Sequence, residues 1–407
     1  MKKTDSLYLS AREAAAELAI SPATLYAYVS RGLIRSEPTA GARSRRYRAE
    51  DVRALKERRT PSPEPRGLKS FDADLPVLDS AVATITEDGP IYRGVNCIHL
   101  AEADTLEHAA TLLWDAASVD PFVPGNMPHV SEAMRTIAAA ARDAAPIDRT
   151  IAVLALAASA DPQAFTRAPD GRAMAGGRIL RLVVATMLGV APSPEPLHRQ
   201  IARAWAPEHA AAPDLIRRAL VLLADHELNA STFTVRCAAS TGLNLYDAMI
   251  AGLAALKGPR HGGAGALAAQ FVRSLIDGDV APVVRERVAL GERFAGFGHG
   301  VYSKQGDPRA RMLLRALAKS GAPKRFTQDI PAQVLEATGE FANIDYALAV
   351  LTHTLRLPLG SEIALFAMAR TVGWIAHASE QLRHGGLIRP RARYIGPAPG
   401  RPIVVPR

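Results

Sequence analysis

Apolar positions through the long central stretch of the chain recur every three to four residues, the period of a helix with one buried face. Leu106, Ala109, Ala110 and Leu113 keep that spacing, and Leu215, Leu220 and Leu223 keep it more loosely. The segments 248–256 and 363–375 are apolar on nearly every side, which predicts helices enclosed in a large helical body. No alternating β-branched runs flank them, so a parallel α/β sheet is not expected. The pattern holds from about residue 100 to 380 and predicts an all-α architecture.

The first sixty residues are organised differently. Ser10-Ala11-Arg12-Glu13 reads as a capping box that opens a short helix over Ala11–Leu18. Ser21 caps a second helix with Pro22 at its first position; Leu25, Tyr28 and Val29 share one face, and Gly32 ends it. A basic, hairpin-like stretch from Thr39-Ala40-Gly41 to Arg45-Arg46-Tyr47 follows, then a third helix from Ala49 to about Arg59. Pro61, Pro63 and Pro65 make residues 60–68 an extended linker, because each proline locks φ and removes a donor. The main domain boundary is expected there.

Charge sharpens this division. Residues 1–66 hold 14 Lys and Arg against 8 Asp and Glu, a balance of +6, so the other 341 residues carry only +3 of the total +9. A polyanionic partner is therefore expected for the N-terminal segment alone. Two distant cysteines, Cys97 and Cys237, form neither a metal-ligand spacing nor a disulfide framework, which fits a reducing compartment. Asp5, Arg12 and Glu13 interrupt any signal-type apolar core, and the apolar stretches 151–160 and 183–191 are too short for a bilayer. A cytoplasmic protein is expected.

Three histidines have unusual neighbours. His226 lies in Asp225-His226-Glu227-Leu228-Asn229-Ala230-Ser231, His261 in Gly258-Pro259-Arg260-His261-Gly262-Gly263, and His299 in Gly296-Phe297-Gly298-His299-Gly300-Val301-Tyr302. Glycine is costly in a helix and useful where backbone approaches a ligand closely. A candidate acid follows in Asn343-Ile344-Asp345-Tyr346, and three arginines follow at Arg309, Arg370 and Arg389. No histidine pair has short helical ligand spacing, so no metal is expected. Taken singly, His226 reads as an ordinary helix histidine and the arginines as surface ion-pair residues. Arg370 differs, because it follows an apolar run that should be buried and so needs an anionic partner.

Taken together, and with Tyr92-Arg93-Gly94 and Leu112-Leu113-Trp114 near the start, these motifs resemble the citrate synthase family over roughly residues 82–396. Residues 7–58 resemble the winged helix-turn-helix of MerR-type regulators and excisionases. The resemblance implies a two-domain helical fold behind a small winged helix-turn-helix. Its parts would be a helix-turn-helix domain over 1–59, a linker over 60–69, a large domain over 70–260 and 356–407, and a small domain over 261–355.

It further implies condensation of oxaloacetate with acetyl-CoA, or with a short homologue such as propionyl-CoA, and hydrolysis of the citryl-CoA thioester to citrate and CoA. That is the entry step of the tricarboxylic acid cycle. Asp345 matches the base that takes the methyl proton, His261 the donor to the thioester oxygen, and His299 the group that polarises the oxaloacetate carbonyl. His226 matches a further oxaloacetate contact; Asn229 and Ser231 match residues that orient the histidines. Arg309, Arg370 and Arg389 match the carboxylate clamps, whose planar guanidinium fork suits bidentate recognition. The last of them serves the neighbouring subunit's site in the family, which implies a homodimer. No permanent cofactor is implied. For CoA as cosubstrate and product, Gly296, Phe297 and Gly298 are expected near the adenine, with Arg293 and Lys304 at the phosphates. Three departures stand out: Gly300 where many relatives have arginine, Gly265-Ala266 where Asn-Glu is common, and Ala347-Leu348-Ala349 in place of the usual Ser-Gly after Tyr346. The alternative is a DNA-binding regulator that uses the synthase fold as a metabolite sensor.

Overall fold

The computed structural model describes residues 7–18, 20–30, 33–38, 45–52, 55, 78–276, 279–302, 304–392 and 394–396. The chain divides into two compact units, 1–68 and 69–407.

In the first unit the strand Arg45–Arg48 lies between Tyr8–Ser10 and Ser36–Pro38, antiparallel to both. The capping box forms as expected: the Ser10 hydroxyl accepts from the Glu13 amide, and the Glu13 carboxylate accepts from the Ser10 amide. It opens the helix Ala11–Glu17. Ser21 likewise accepts from the Thr24 amide at the start of the helix Pro22–Ser30. Ala14, Leu18, Leu25, Ile34, Tyr47 and Val52 close a small core, with Tyr28 and Val29 packed against it. The third helix begins at Ala49; most of its expected course to Arg59, the tip of the wing and the linker lie outside the described residues.

The second unit is helical apart from one small sheet that periodicity did not predict. Its strands are Ala83–Thr86, Gly89–Tyr92 and Val95–Asn96, paired antiparallel in that order. Thr86 closes the first turn by donating its hydroxyl to the Gly89 carbonyl at 2.8 Å, and Gly89 takes φ +115°, a value side chains disfavour. Strands this short carry too little alternation to stand out in sequence.

The helix Ser361–His384 is buried along almost its whole length and is the axis of the unit. Leu106–Trp114, Pro169–Leu188, Ala230–Ala239 and Leu245–Leu256 pack around it. Arg236 and Glu380, both buried, pair at 2.8 Å, and Gln381 accepts from Arg236 at 3.0 and 3.1 Å. These bonds fix Ala230–Ala239 against the axis. The helices Gly263–Ser274 and Ile344–Thr354 pack closely on one another, and Pro308–Lys319 packs against the second of them. Among the described residues no helix is long and apolar enough to cross a membrane.

Candidate active site

The first histidine is aimed by a strained turn. The helix Ala212–Leu223 ends where the Tyr92 hydroxyl meets the carbonyls of Val221, Leu222 and Asp225 at 3.1 to 3.3 Å. Asp225, wholly buried, accepts the Glu227 amide at 2.9 Å, and Glu227 sits at φ +54°. A non-glycine residue there costs energy that the surroundings must repay. The turn leaves His226 buried, its Nε2 3.1 Å from the Tyr302 hydroxyl. Asn229 then caps the next helix by accepting the Thr232 amide, which places Ser231 in its first turn.

His261 precedes the helix Gly263–Ser274. A Cβ at Gly262 would stand 2.5 Å from the Leu256 carbonyl, so only glycine allows this tight turn. His261 Nε2 lies 2.7 Å from the Ser231 hydroxyl, which also receives the Trp374 indole N–H at 3.2 Å. Helices far apart in the chain thus fix the imidazole plane.

His299 is carried by a loop locked to the helix that bears Asp345. Asn343 donates its backbone N–H to Gly296 and its side-chain amide to Gly298, each at 2.9 Å, and accepts the Asp345 amide at 3.0 Å. Gly296 and Gly298 sit at φ +86° and +73°, and a Cβ at Gly296 would come within 2.8 Å of the Tyr346 Cβ. The Val301 amide donates to His299 Nδ1 at 3.1 Å, so a neutral ring carries its proton on Nε2. The rings of His226 and His299 are 5.4 Å apart, and each contacts Tyr302.

Two buried arginines complete the set. Arg309 binds Asp307 in a two-pronged pair at 2.8 and 3.0 Å, while Asp307 also accepts the Ile344 amide. One carboxylate therefore ties the first turn of Pro308–Lys319 to that of Ile344–Thr354. Arg370 donates its Nε to the Leu223 carbonyl at 2.9 Å and lies 4.6 Å over the Phe366 ring, but among the described residues its buried Nη1 has no partner. An unpaired buried guanidinium nitrogen is costly and calls for an anion.

Charge and burial act on one another here. Burial, then the charge of Arg370, pushes His261 down to about 4. Burial and Arg309 bring His299 down to about 4, with Asp307 opposing. His226 is held well below its ordinary value by burial, Arg309, Arg370 and His299. All three rings are therefore neutral near pH 7. Burial raises Asp345 to about 6, Asp307 adding to the rise while Arg309 and Arg370 oppose it. Burial weakens Arg370's hold on its proton, bringing it to about 10, with Asp225 the chief counterweight. For Arg309 burial works against the charge, and the Asp307 pair outweighs it. The result is a basic carboxylate and neutral imidazoles beside two fixed cations, a setting suited to removing a carbon-bound proton and placing anionic groups.

The sequence model of the family described as citrate synthase, C-terminal domain, matches residues 70–391. The chain belongs to this family. A helix-turn-helix model matches residues 8–60. Among relatives of the family, a citrate synthase of Haloferax volcanii is 39% identical over 186 residues, 44% of this chain and 49% of the relative. Citrate synthase 2 of Bacillus subtilis is 37% identical over 191 residues, 45% of this chain and 51% of the relative. A 2-methylcitrate synthase of Shewanella oneidensis is 32% identical over 193 residues, 46% and 51%. These matches span about half the length of the curated relatives. The crystal structure of the Thermotoga maritima citrate synthase superposes with a TM-score of 0.67 at 25% identity, covering 81% of this chain and 96% of that one. The Thermoplasma acidophilum enzyme, solved with carboxymethyl coenzyme A and oxaloacetate, shares the fold with a TM-score of 0.65 at 24% identity, covering 81% and 96%.

Of the residues singled out in the sequence, His226, His261, His299, Arg309, Asp345, Arg370 and Asn229 converge within the single chain. Arg389 and Arg293 are exposed. Lys304 pairs with Glu87 at 3.1 Å. The Phe297 ring is core, 4.8 Å from the Tyr346 ring and against Phe271 and Phe294, and its amide donates to the Phe294 carbonyl at 3.1 Å. Sequence reading gave no role to Asp225, Asp307, Asn343 or Trp374. Asp307 carried a local signal, a capping aspartate before a proline at a helix start; the Trp374 bond to Ser231 carried none.

Gly373 shows how closely the turn is docked. Its amide donates to the Ala224 carbonyl at 3.0 Å, and a Cβ there would stand 2.2 Å from Asp225 Oδ1 and 2.6 Å from the Ala224 oxygen. Gly373→Ala is expected to destabilise the fold by about 1–3 kcal/mol. It should lower kcat by more than that loss of folded protein explains, because His226 moves with Asp225. Thermal unfolding and turnover on the same preparation measure both effects.

Proposed function

We propose that this protein condenses oxaloacetate with acetyl-CoA or a short homologue such as propionyl-CoA and hydrolyses the thioester formed, releasing citrate or its alkyl homologue and CoA. One observation carries the reading: a carboxylate raised into the range of a working base, beside neutral histidines and a buried arginine whose Nη1 lacks a partner among the described residues. Asp345 takes the proton from the acyl α-carbon. His261, oriented by Ser231, stabilises the oxygen that gains negative charge as the enol forms. His299 presents its Nε2–H to the ketone of oxaloacetate and donates that proton to the alkoxide that develops there as the carbon–carbon bond forms, and His226 makes a further contact. Arg370 and Arg309 hold the carboxylates, Arg370 through its open Nη1.

CoA is a cosubstrate in this reading, with the backbone of Gly296–Gly298 beside the adenine and Arg293 and Lys304 at the phosphates. Exposed Arg389 serves the site of a second copy in a homodimer. Closure of a small domain, 261–355, on a large one, 70–260 and 356–407, excludes water from the enol step. A thiol-release assay with oxaloacetate and each thioester tests the proposal; no release from folded protein with either thioester would overturn it.

A second reading concerns the N-terminal unit, which we propose binds DNA, with the synthase body as a sensor of its ligands in place of turnover. The helix-turn-helix match and the arginine-rich strand Arg45–Arg48 favour DNA contact. Arg46 and Arg48 share Glu37, whereas Arg45 makes bonds only to Ser36 among the described residues. Selection of genomic fragments is expected to enrich specific sites with the full chain and none after removal of residues 1–66. Equal recovery by both would refute DNA binding, and thiol release would refute a pure sensor.

A further inference from the structure

Gly265 lies one turn beyond His261 and is buried on the helix Gly263–Ser274. Most glycines near the site are compelled by close packing or left-handed backbone. At Gly262 a Cβ would strike the Leu256 carbonyl, and at Gly296 it would strike Tyr346. Gly265 is under neither constraint. A Cβ there would stand 3.5 Å from the Glu362 Cβ and 3.9 Å from Asp345 Oδ1, and among the described residues no other atom beyond its own helix and chain neighbours lies inside 4 Å. Those are ordinary van der Waals distances, so the fold has room for a side chain that the sequence omits. Glycine also weakens a helix relative to alanine, so the omission is not a stabilising choice.

We infer that Gly265 sets which acyl chain the site accepts, because it leaves a notch beside the Asp345 carboxylate that takes a substituent on the acyl α-carbon. The inference rests on the synthase reading of the site. To give up its proton, the α-carbon must lie in contact with the Asp345 carboxylate. A methyl group on that carbon then falls within reach of the same oxygen, in the volume a Cβ at position 265 would fill. The far wall is apolar: Glu362 offers its Cβ there, while its carboxylate is engaged by the Thr352 hydroxyl at 2.8 Å. The extra methyl of a propionyl thioester and a methyl at position 265 are alike in size and compete for one space.

The test compares kcat/KM for propionyl-CoA and acetyl-CoA at saturating oxaloacetate in the wild type, Gly265→Ala and Gly265→Ser. The propionyl-to-acetyl ratio is expected to fall about 10- to 200-fold in Gly265→Ala, the range one methylene commands in a fitted pocket, and further in the serine variant. Circular dichroism establishes that each variant is folded. A ratio that stays within about threefold of the wild-type value in the folded variants would overturn the inference. If the wild type releases no thiol, the synthase reading fails by itself. The notch is then judged by calorimetric affinities for the two thioesters: a falling propionyl preference in Gly265→Ala supports it, and an unchanged preference overturns it.

Discussion

Asp345→Asn is expected to lose turnover by about 10²- to 10⁴-fold, the span that a positioned base contributes, and to unfold at a higher temperature than the wild type at pH 8. The two effects share one cause. Burial raises the carboxyl to about 6, so the folded protein prefers the neutral form. A group whose folded pKa is raised contributes stability below its unfolded value, and that contribution is lost as pH rises through the folded value. At pH 8 the charged form costs about 3 kcal/mol, which asparagine, neutral at every pH, does not incur. The gain should shrink toward pH 5, and chemical denaturation at both values measures it. The same shift predicts an acid limb in kcat/KM with a midpoint near 6, falling as pH falls, because the base must be ionised. His261 and His299, at about 4, add no second proton to that limb. A variant less stable than wild type at pH 8 would sink this account.

Arg370→Met is expected to raise the KM for oxaloacetate on the order of 10²- to 10³-fold, the loss of about 2–5 kcal/mol that follows truncation of one member of a buried charge pair. The KM for the acyl-CoA should move far less, because in the function proposed Arg370 holds an oxaloacetate carboxylate through its Nη1, which has no partner among the described residues. Stability should change little, since the folded state already disfavours this charge and methionine fills similar space. Arg370→Lys restores a charge but not a planar fork, so it should recover only part of the affinity. Removing the cation also relieves His261 in part, so its pKa should rise from about 4 while burial, the larger cause, still holds it down. Initial rates over both substrates and over pH distinguish this outcome from general loss of fold, in which both KM values and kcat would change together.

How legible the protein was depends on the range of the interaction concerned. Helices announced themselves wherever one face is buried, as in Leu106–Trp114, and their starts were marked by side chains acting on amides three residues away, as at Ser10 and Ser21. The sheet over residues 83–96 was missed, because strands of two to four residues leave almost no alternation to detect. Candidate site residues stood out only where glycine bracketed them, as at His261 and His299, or where a charge followed an apolar run, as at Arg370.

The sequence by itself determined the helical class, the separate basic N-terminal segment and the roster of acids, imidazoles and guanidiniums. These follow from local periodicity, capping and charge, which act over a few residues. Only the tertiary structure decided that Ser231, His261 and Trp374 share one hydrogen-bond chain, that Asp307 neutralises Arg309, and that burial raises the Asp345 carboxyl. Desolvation and Coulomb attraction depend on which distant segments exclude water and bring charges close, and no short stretch of the chain encodes that.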